Sequence, residues 1–330
     1  MPRIQEIAKV AGVSPATVSR ALRGLQHVNE KTRKTIIEAA ELLGYPIELP
    51  GAKSAKTNTV GVIAPFVSRW YFAQAIGGVE HALREAGMDV LLYNFTRANG
   101  REKIFTKLNL KERVDALIII SLPPTQEEYD EILSLNIPVA AIGFDAPEIT
   151  TVLIDDVHGA KVATQHLIDL GHKRIGLISG SSQGVWDFPV PRNRREGFLA
   201  ALHEAGLTFD PNLEVHADFS AVTGERAMDD LLSRPNRPTA VFCESDEMAY
   251  GAMQSMRRHG LRCPEDISLI GYDGHEMAEF ANLTTIAQPV QTMGELAAWA
   301  VMEKINKPDT PPKRINLPTT LVMRGSTRSI

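Results

Sequence analysis

Four segments of the chain place charged or aromatic side chains directly behind short apolar runs. Arg69, Trp70, Tyr71 and Phe72 follow the run at 60–66. The run at 174–180 leads into GSSQGVWDFPVPRNRREGF, which holds Trp186, Phe188 and Arg194. Asp246 follows TAVFCES, and Asp273 ends SLIGYD. An aspartate accepts two hydroxyl hydrogen bonds, an arginine fork donates two, and an aromatic face covers the apolar side of a ring. That set suits a polyhydroxylated ligand, a sugar or polyol. Phe188 and Phe219 are also suited to stacking a base, so a nucleoside or purine is the second reading. Plainer roles stay open. Asp246 precedes EMAYGAM and is placed to cap that helix, Arg194 to make a salt bridge, and Trp70 and Trp186 to fill surface or core.

A different chemistry sits near the N-terminus, where Ile4 to Arg23 reads IQEIAKVAGVSPATVSRALR. Arg20 can bind guanine bidentately, a contact worth about 1–3 kcal/mol of discrimination, or bind phosphate alone. No P-loop, HExxH or GxSxG occurs, so an enzyme is not expected. His166 and His172 are six apart and fit no helical metal pair; no metal or cofactor is expected.

These residues need elements to hold them. Ile4, Ile7, Ala8 and Ala11 make an apolar helix face that ends at Gly12. Ser14 then caps a second helix with Pro15 at its first position. Val18, Ala21 and Leu22 face inward, leaving Thr17, Ser19, Arg20 and Arg23 outside. Two helices joined by a short glycine turn make a helix-turn-helix, whose second helix enters the major groove. A third helix runs from an Asn29 cap through Ile36, Ile37, Ala40 and Leu43 to Gly44. Residues 45–59 read as a linker. Beyond it, apolar runs at 60–66, 89–95, 115–121, 139–145, 174–180, 239–245 and 268–273 alternate with helical segments. Such runs predict parallel sheets covered on both faces. HALREAGMDVLLYNF and AALHEAGLTFDPNLEVHADF echo each other as helix, glycine and strand, which predicts two similar lobes.

At 330 residues the chain suits two or three domains. Its net charge of −5 divides into +4 over residues 1–58 and −9 over the rest, a basic head on an acidic body. The two cysteines, Cys243 and Cys263, suggest neither a disulfide frame nor a zinc site. No signal peptide and no run of 18 apolar residues is present, which predicts a cytoplasmic protein without membrane contact.

The segments EIAKVAGVSPATVSRAL, VNEKTRKTIIEAAELLGY, NTVGVIAP, LIDLGHKRIGLISG, RPTAVFCESDEMAYGAM, DISLIGYD and LTTIAQP, in that order, resemble the lac repressor/galactose repressor family of transcription regulators. The resemblance implies an α plus α/β chain: a helix-turn-helix headpiece (1–46), a hinge (47–58) and a two-lobed sensor like the type I periplasmic binding proteins (59–330), built on two doubly wound parallel sheets. Lobe one is expected over about 60–158 and 290–319, lobe two over about 159–289 and 320–330, with three chain crossings between them. The resemblance assigns DNA contacts to Pro15, Ala16, Thr17, Ser19 and Arg20, and backbone or groove-edge contacts to His27, Thr32 and Arg33. It assigns effector contacts to Tyr71, Phe72, Arg194, Asp246 and Asp273, with Phe144 and Phe219 as walls and Trp70, Trp186 and Phe188 close by. Family hinges end Ala-Arg-Ser-Leu, whose leucine wedges into the minor groove. Here the matching residues are Ala52-Lys53-Ser54-Ala55, without leucine and with lysine for arginine, and the stretch between Gly44-Tyr45 and Asn58 is about two residues short. A wedge is therefore not expected. Lys53 and Lys56 remain candidate phosphate contacts, or the segment is a solvated linker. The implied function is a repressor, a homodimer or a tetramer, on a pseudo-palindromic double-stranded DNA operator, controlled by a small effector. Competing readings are a sugar-binding transport protein, which would need a signal peptide and no headpiece, and an α/β enzyme with a regulatory head.

Overall fold

The computed structural model describes residues 4–22, 28–43, 57–94, 110–181 and 188–330. His27, Lys53, Lys56, Trp186 and the Ala52–Ala55 segment lie outside the described residues. The chain divides into two compact units, Met1–Thr57 and Asn58–Ile330.

In the first unit, α1 (Ile4–Ala11), α2 (Pro15–Leu22) and α3 (Glu30–Leu42) follow the apolar periodicity. Ser14 Oγ accepts the Thr17 amide at 3.1 Å, and Asn29 Oδ1 accepts the Thr32 amide at 2.7 Å, so both caps form as their residue types predict. Gly12 takes a φ of 65°, which lets the chain turn between α1 and α2. The core is Ile7, Ala8, Val18, Ala21, Leu22, Ile36, Ala39 and Ala40. Among the described residues it contains no aromatic side chain, and burying each Ile or Val contributes about 1.5–3 kcal/mol.

The second unit holds two six-stranded sheets. The first contains β1 (Thr59–Ala64), β2 (Asp89–Asn94), β3 (Ala116–Ile120), β4 (Val139–Ile142) and β5 (Thr150–Ile154). The second contains β6 (Ile175–Gly180), β7 (Glu214–Ala217), β8 (Ala240–Cys243), β9 (Ser268–Asp273) and β10 (Thr284–Ala287). Edge strands β11 (Arg314–Leu317) and β12 (Thr320–Val322) complete them. The orders are β11-β5-β4-β3-β1-β2 and β12-β10-β9-β8-β6-β7, one doubly wound plan used twice.

Each sheet is covered on both faces, which is why central strands such as β1, β3 and β4 are apolar and buried almost throughout. In β3, Ala116, Ile118 and Ile120 pack toward α4 (Trp70–Glu85) and α12 (Val290–Asn306), whereas Leu117 and Ile119 pack toward α5 (Leu110–Arg113) and α6 (Gln126–Ser134). On the second sheet, α7 (Asp156–Asp169) and α8 (Pro189–Glu204) cover one face. The other is covered by α9 (Ala221–Ser233), α10 (Asp246–Arg258) and the short α11 (Met277–Phe280). Helices α4 and α12 approach through Gly78 and Gly294. A Cβ at either would fall 2.0 or 2.2 Å from a backbone oxygen of the other helix, so neither accepts alanine without moving the pair.

The chain passes between the lobes three times, at residue 155, at 288–289 and at 318–319. The all-parallel expectation fails at one strand: β12 pairs antiparallel with β10. The strands β1 to β11 point their C-terminal ends at the space between the sheets. Since β11 ends there, β12 must begin there and run away from it. Five strands, β5, β7, β10, β11 and β12, lie outside the apolar runs of the sequence. Their physical reason is composition. β5 and β10 carry the buried pairs Thr150–Thr151 and Thr284–Thr285, and the other three are short edge strands.

Candidate functional site

A cavity of about 230 Å³ lies where the strand ends of the two sheets meet. Phe66 follows β1, Ser121 follows β3 and Gly143 follows β4. From the other side, Ser181 follows β6, Asp218 and Phe219 follow β7, Ser245 precedes α10, Asp273 ends β9 and Gln288 follows β10. This is the crevice at the carboxyl ends of strands, where open α/β sheets bind ligands.

The floor on the lobe-two side is an ionic cluster around Arg194. Arg194 is only 3% exposed. Pro189 starts α8, and Arg194 falls on the face of that helix turned toward α7 and the sheet. Its Nε donates to Asp156 Oδ1 at 2.7 Å, an Nη donates to the Glu244 carbonyl, and the same Nη lies 3.7 Å from Asp273 Oδ1. The guanidinium sits 3.6 Å over the Tyr272 ring. Burial opposes the charge, but Asp156, Tyr272 and Asp273 outweigh it and hold the arginine firmly protonated. Burial lifts the Asp273 carboxyl well above the carboxylate range, against the pull of Arg194. Gln288 Nε2 donates to Asp273 Oδ1 at 2.7 Å. Asp273 holds a φ of 141°, a value costing on the order of 1–3 kcal/mol for a non-glycine residue. Beneath the cavity, Glu244 is fully buried, accepts the Gly180 amide at 2.7 Å and is pushed by burial well above its ordinary value.

Aromatic rings make the rest of the wall. Phe66 meets Phe72 edge-on at 5.6 Å and lies 6.4 Å from Phe188 across the cleft. Tyr71 packs edge-on against Phe72, and its hydroxyl accepts from Ser121 Oγ at 3.2 Å. Burial lifts that phenol to about 12. Phe219, at a φ of 65°, lays its ring where a Cβ on Gly180 would stand, 2.1 Å away. Two contacts close the mouth between lobes. Arg69 donates to the Asp218 carbonyl and lies over the Phe66 ring at 4.6 Å. Trp70 stacks on His275 at 5.1 Å and donates Nε1 to Glu276.

In the first unit, Pro15, Ala16 and Arg20 stand exposed on α2, with Thr17 and Ser19 half-buried beside them. The Thr17 hydroxyl is 2.8 Å from Ser14 Oγ. Thr32 and Arg33 are half-buried on α3, where Arg33 donates to the Ala21 carbonyl at 3.4 Å and braces α3 on α2.

Residues 3–46 match the bacterial regulatory proteins of the lacI family, and residues 164–327 match a periplasmic binding protein-like domain. The HTH-type transcriptional repressor CytR of Escherichia coli strain K12 is 35% identical over 99% of this chain and 96% of its own length. PurR of Haemophilus influenzae strain PittEE, likewise an HTH-type transcriptional repressor, is 35% identical over the full length of both chains. The chain belongs to the lacI family. Among solved structures, the transcriptional regulator CelR in complex with cellobiose aligns over 99% of this chain and all of its own, at TM-score 0.74 and 30% identity. A lacI family regulator from Enterococcus faecium with bound ribose covers 82% of this chain and 99% of its own, at TM-score 0.73 and 28% identity. This lacI-family chain is therefore a DNA-binding transcription regulator and not an enzyme.

Of the expected cleft residues, the structure gathers Trp70, Tyr71, Phe72, Phe188, Arg194, Phe219 and Asp273 around one cavity. Two depart from expectation. Phe144 is 5% exposed and packs into the core beneath the first sheet with Leu117, Ile119 and Ile149, so it is not a wall of the cavity. Asp246 is fully buried behind the cavity rather than on it. Its Oδ1 accepts from Thr285 Oγ1 at 2.6 Å and its Oδ2 from the His275 amide at 2.8 Å. Burial lifts it to about 6, against these hydrogen bonds. Nor does it cap α10, because Ser245 does so by accepting the Met248 amide. Asp246 instead pins the loop that carries His275 and Glu276 to the cleft mouth. His166 and His172 bind hydroxyls, at Thr327 (2.9 Å) and at Thr239 and Ser268 (2.9 and 3.1 Å). Sequence reasoning missed Asp156, Glu247 and Gln288, which all line the cavity. The available signal was position: Asp156 and Gln288 stand just past strands, and Glu247 adjoins Asp246.

Proposed function

We propose that this chain is a cytoplasmic repressor that binds a pseudo-palindromic operator as a homodimer and whose operator affinity is set by a small effector in the interlobe cleft. The domain plan is a headpiece over 1–46, a hinge over 47–58 and a sensor over 59–330. The observation that carries the effector site is the pairing of a buried Arg194–Asp156–Asp273 cluster with aromatic rings from both lobes in one cavity. Carboxylates and an arginine fork hold hydroxyls, and the rings cover a flat face. A sugar or polyol fits this set. The cellobiose and ribose carried by the two solved relatives support that class. A nucleoside is the second reading, favoured by the Phe66–Phe72–Phe188 group, in which Phe72 and Phe188 offer ring faces and edges at 5.6 and 6.4 Å from Phe66.

On the DNA side, exposed Arg20 is the base-reading residue, with Pro15 and Ala16 making apolar contacts and Thr17, Ser19 and Thr32 positioning the helix. Binding the effector shifts operator affinity only if the effector discriminates between the two states, with a coupling of about 1–3 kcal/mol. The test begins with an operator selected from random DNA by the purified protein. Arg20→Ala abolishes its footprint and leaves effector binding intact, whereas Asp273→Asn keeps the footprint and loses the response to effector. A footprint that survives in Arg20→Ala refutes the headpiece assignment.

A further inference from the structure

With the effector seated in the cleft, as proposed above, the charges around it narrow its class. Four carboxylates line the cavity, Asp156, Asp218, Glu247 and Asp273, against two arginines, Arg69 and Arg194. Both arginines are already matched. Arg194 serves Asp156, Asp273 and the Glu244 carbonyl, and Arg69 serves Asp218. A phosphate or carboxylate entering here meets no described cation without a partner. Three of the four carboxylates are matched as well. Asp156 holds Arg194, Asp273 holds Gln288, and Asp218 accepts from Thr223 Oγ1 and the Ser220 amide.

Glu247 differs. It is half-buried on the cavity wall in the first turn of α10, and among the described residues its carboxylate has no hydrogen-bond or ion-pair partner. An acid in a first turn suits the helix dipole, and that alone would place it on any face of α10. Here it faces the cavity, and burial raises its carboxyl above the ordinary range, against the pull of Arg69 and with Asp218 adding. An acceptor kept unmatched beside a ligand space wants a donor from the ligand, because a desolvated polar group left unpaired is costly.

We infer that Glu247 is the charge-selecting residue of the cleft: it accepts a hydrogen bond from a hydroxyl or amino group of an uncharged effector and rejects phosphorylated forms of the same molecule. Thermal-shift titrations of the full-length protein test this on matched pairs: ribose and ribose 5-phosphate, glucose and glucose 6-phosphate, adenosine and cytidine with their 5′-monophosphates. A neutral member raises the melting temperature, and its phosphate ester binds on the order of a hundredfold or more weaker. Glu247→Gln keeps the shape and removes the charge. It weakens the neutral ligand about tenfold and contracts the neutral-to-phosphate ratio. The melting temperature of the ligand-free variant separates a folding defect from lost recognition, and Glu247→Lys inverts the ratio. Preference of the wild type for a phosphate ester, an unchanged ratio in Glu247→Gln, or silence of every neutral member overturns the inference. A shift that persists undiminished in Phe188→Ala and Asp273→Asn instead refutes placing the effector in the cleft, which keeps the two failures apart.

Discussion

The two lobes share a strand order yet bring different chemistry to the cleft. Lobe one contributes Phe66, Trp70, Tyr71 and Phe72, and Arg69 is its one charged group among the described lining residues. Lobe two contributes the charged groups Asp156, Arg194, Asp218, Glu247 and Asp273, beside the two rings Phe188 and Phe219. The division has a physical basis. Buried charges need partners held at fixed distances, and those partners must move as one body. Arg194 finds all its partners, on α7, β9 and the end of β8, within lobe two. Aromatic faces are less demanding. They can close over a ligand already held by its hydroxyls and gain mostly from excluded water. One lobe is thus built to hold and the other to cover.

The strongest way to break this comparison is to remove the cation from the holding lobe. Arg194→Met leaves Asp156 and Asp273 buried without their charge partner. Breaking a buried pair by deleting one partner costs about 3–5 kcal/mol, so chemical denaturation should show a loss of that size. A loss below about 1 kcal/mol would mean that the cluster is hydrated and that lobe two is no more organised than lobe one.

Proton linkage sharpens the same contrast. Among the described residues, the carboxyls lifted above their ordinary values, Glu244, Asp246, Glu247 and Asp273, all belong to lobe two. For Asp246 the folded value is about 6. Between about pH 4 and 6 the folded state therefore holds a proton that the unfolded chain has released. Stability from this group falls as pH rises through that window and stays lower above it. Asp246→Asn carries no such penalty and can donate to Thr285 while accepting from His275. Its stability relative to wild type should rise by on the order of 2–3 kcal/mol between pH 4 and pH 7. A difference that is flat with pH rejects Asp246 as a buried, proton-binding anchor.

Legibility in the sequence followed burial chemistry. The helix-turn-helix showed itself through caps and periodicity that a local reading captures, Ser14 and Asn29 included. Strands made of Val, Ile, Leu and Ala stood out as apolar runs. β5 and β10 did not, because Thr150, Thr151, Thr284 and Thr285 are buried yet polar. Missing those strands hid the residues that follow them, Asp156 and Gln288. Asp246 and Phe144 failed for a second reason. Both stand at strand ends, and position there does not say which way a side chain turns. Asp246 turns back because Gly271 leaves room for its carboxylate, where a Cβ would stand 2.1 Å from Oδ1. That space is a tertiary fact with no local sequence signature.

The finest test concerns the seam between holder and cover. Trp70, from lobe one, stacks on His275 and donates to Glu276, both in lobe two, and those partners sit on the loop that Asp246 pins. Trp70→Phe keeps a ring over His275 and removes only the indole N–H. One hydrogen bond to a charged, largely exposed acceptor is worth about 1 kcal/mol here. If the contact forms only when the lobes are together, its loss shifts the balance toward the open form by about fivefold. Effector affinity should then fall by the same factor while unfolding stability changes little, because each lobe keeps its own core. Equal losses in affinity and in stability would place Trp70 in the lobe-one core and leave the seam to Arg69 and Asp218. An unchanged affinity would show that the covering lobe closes without help from its rim.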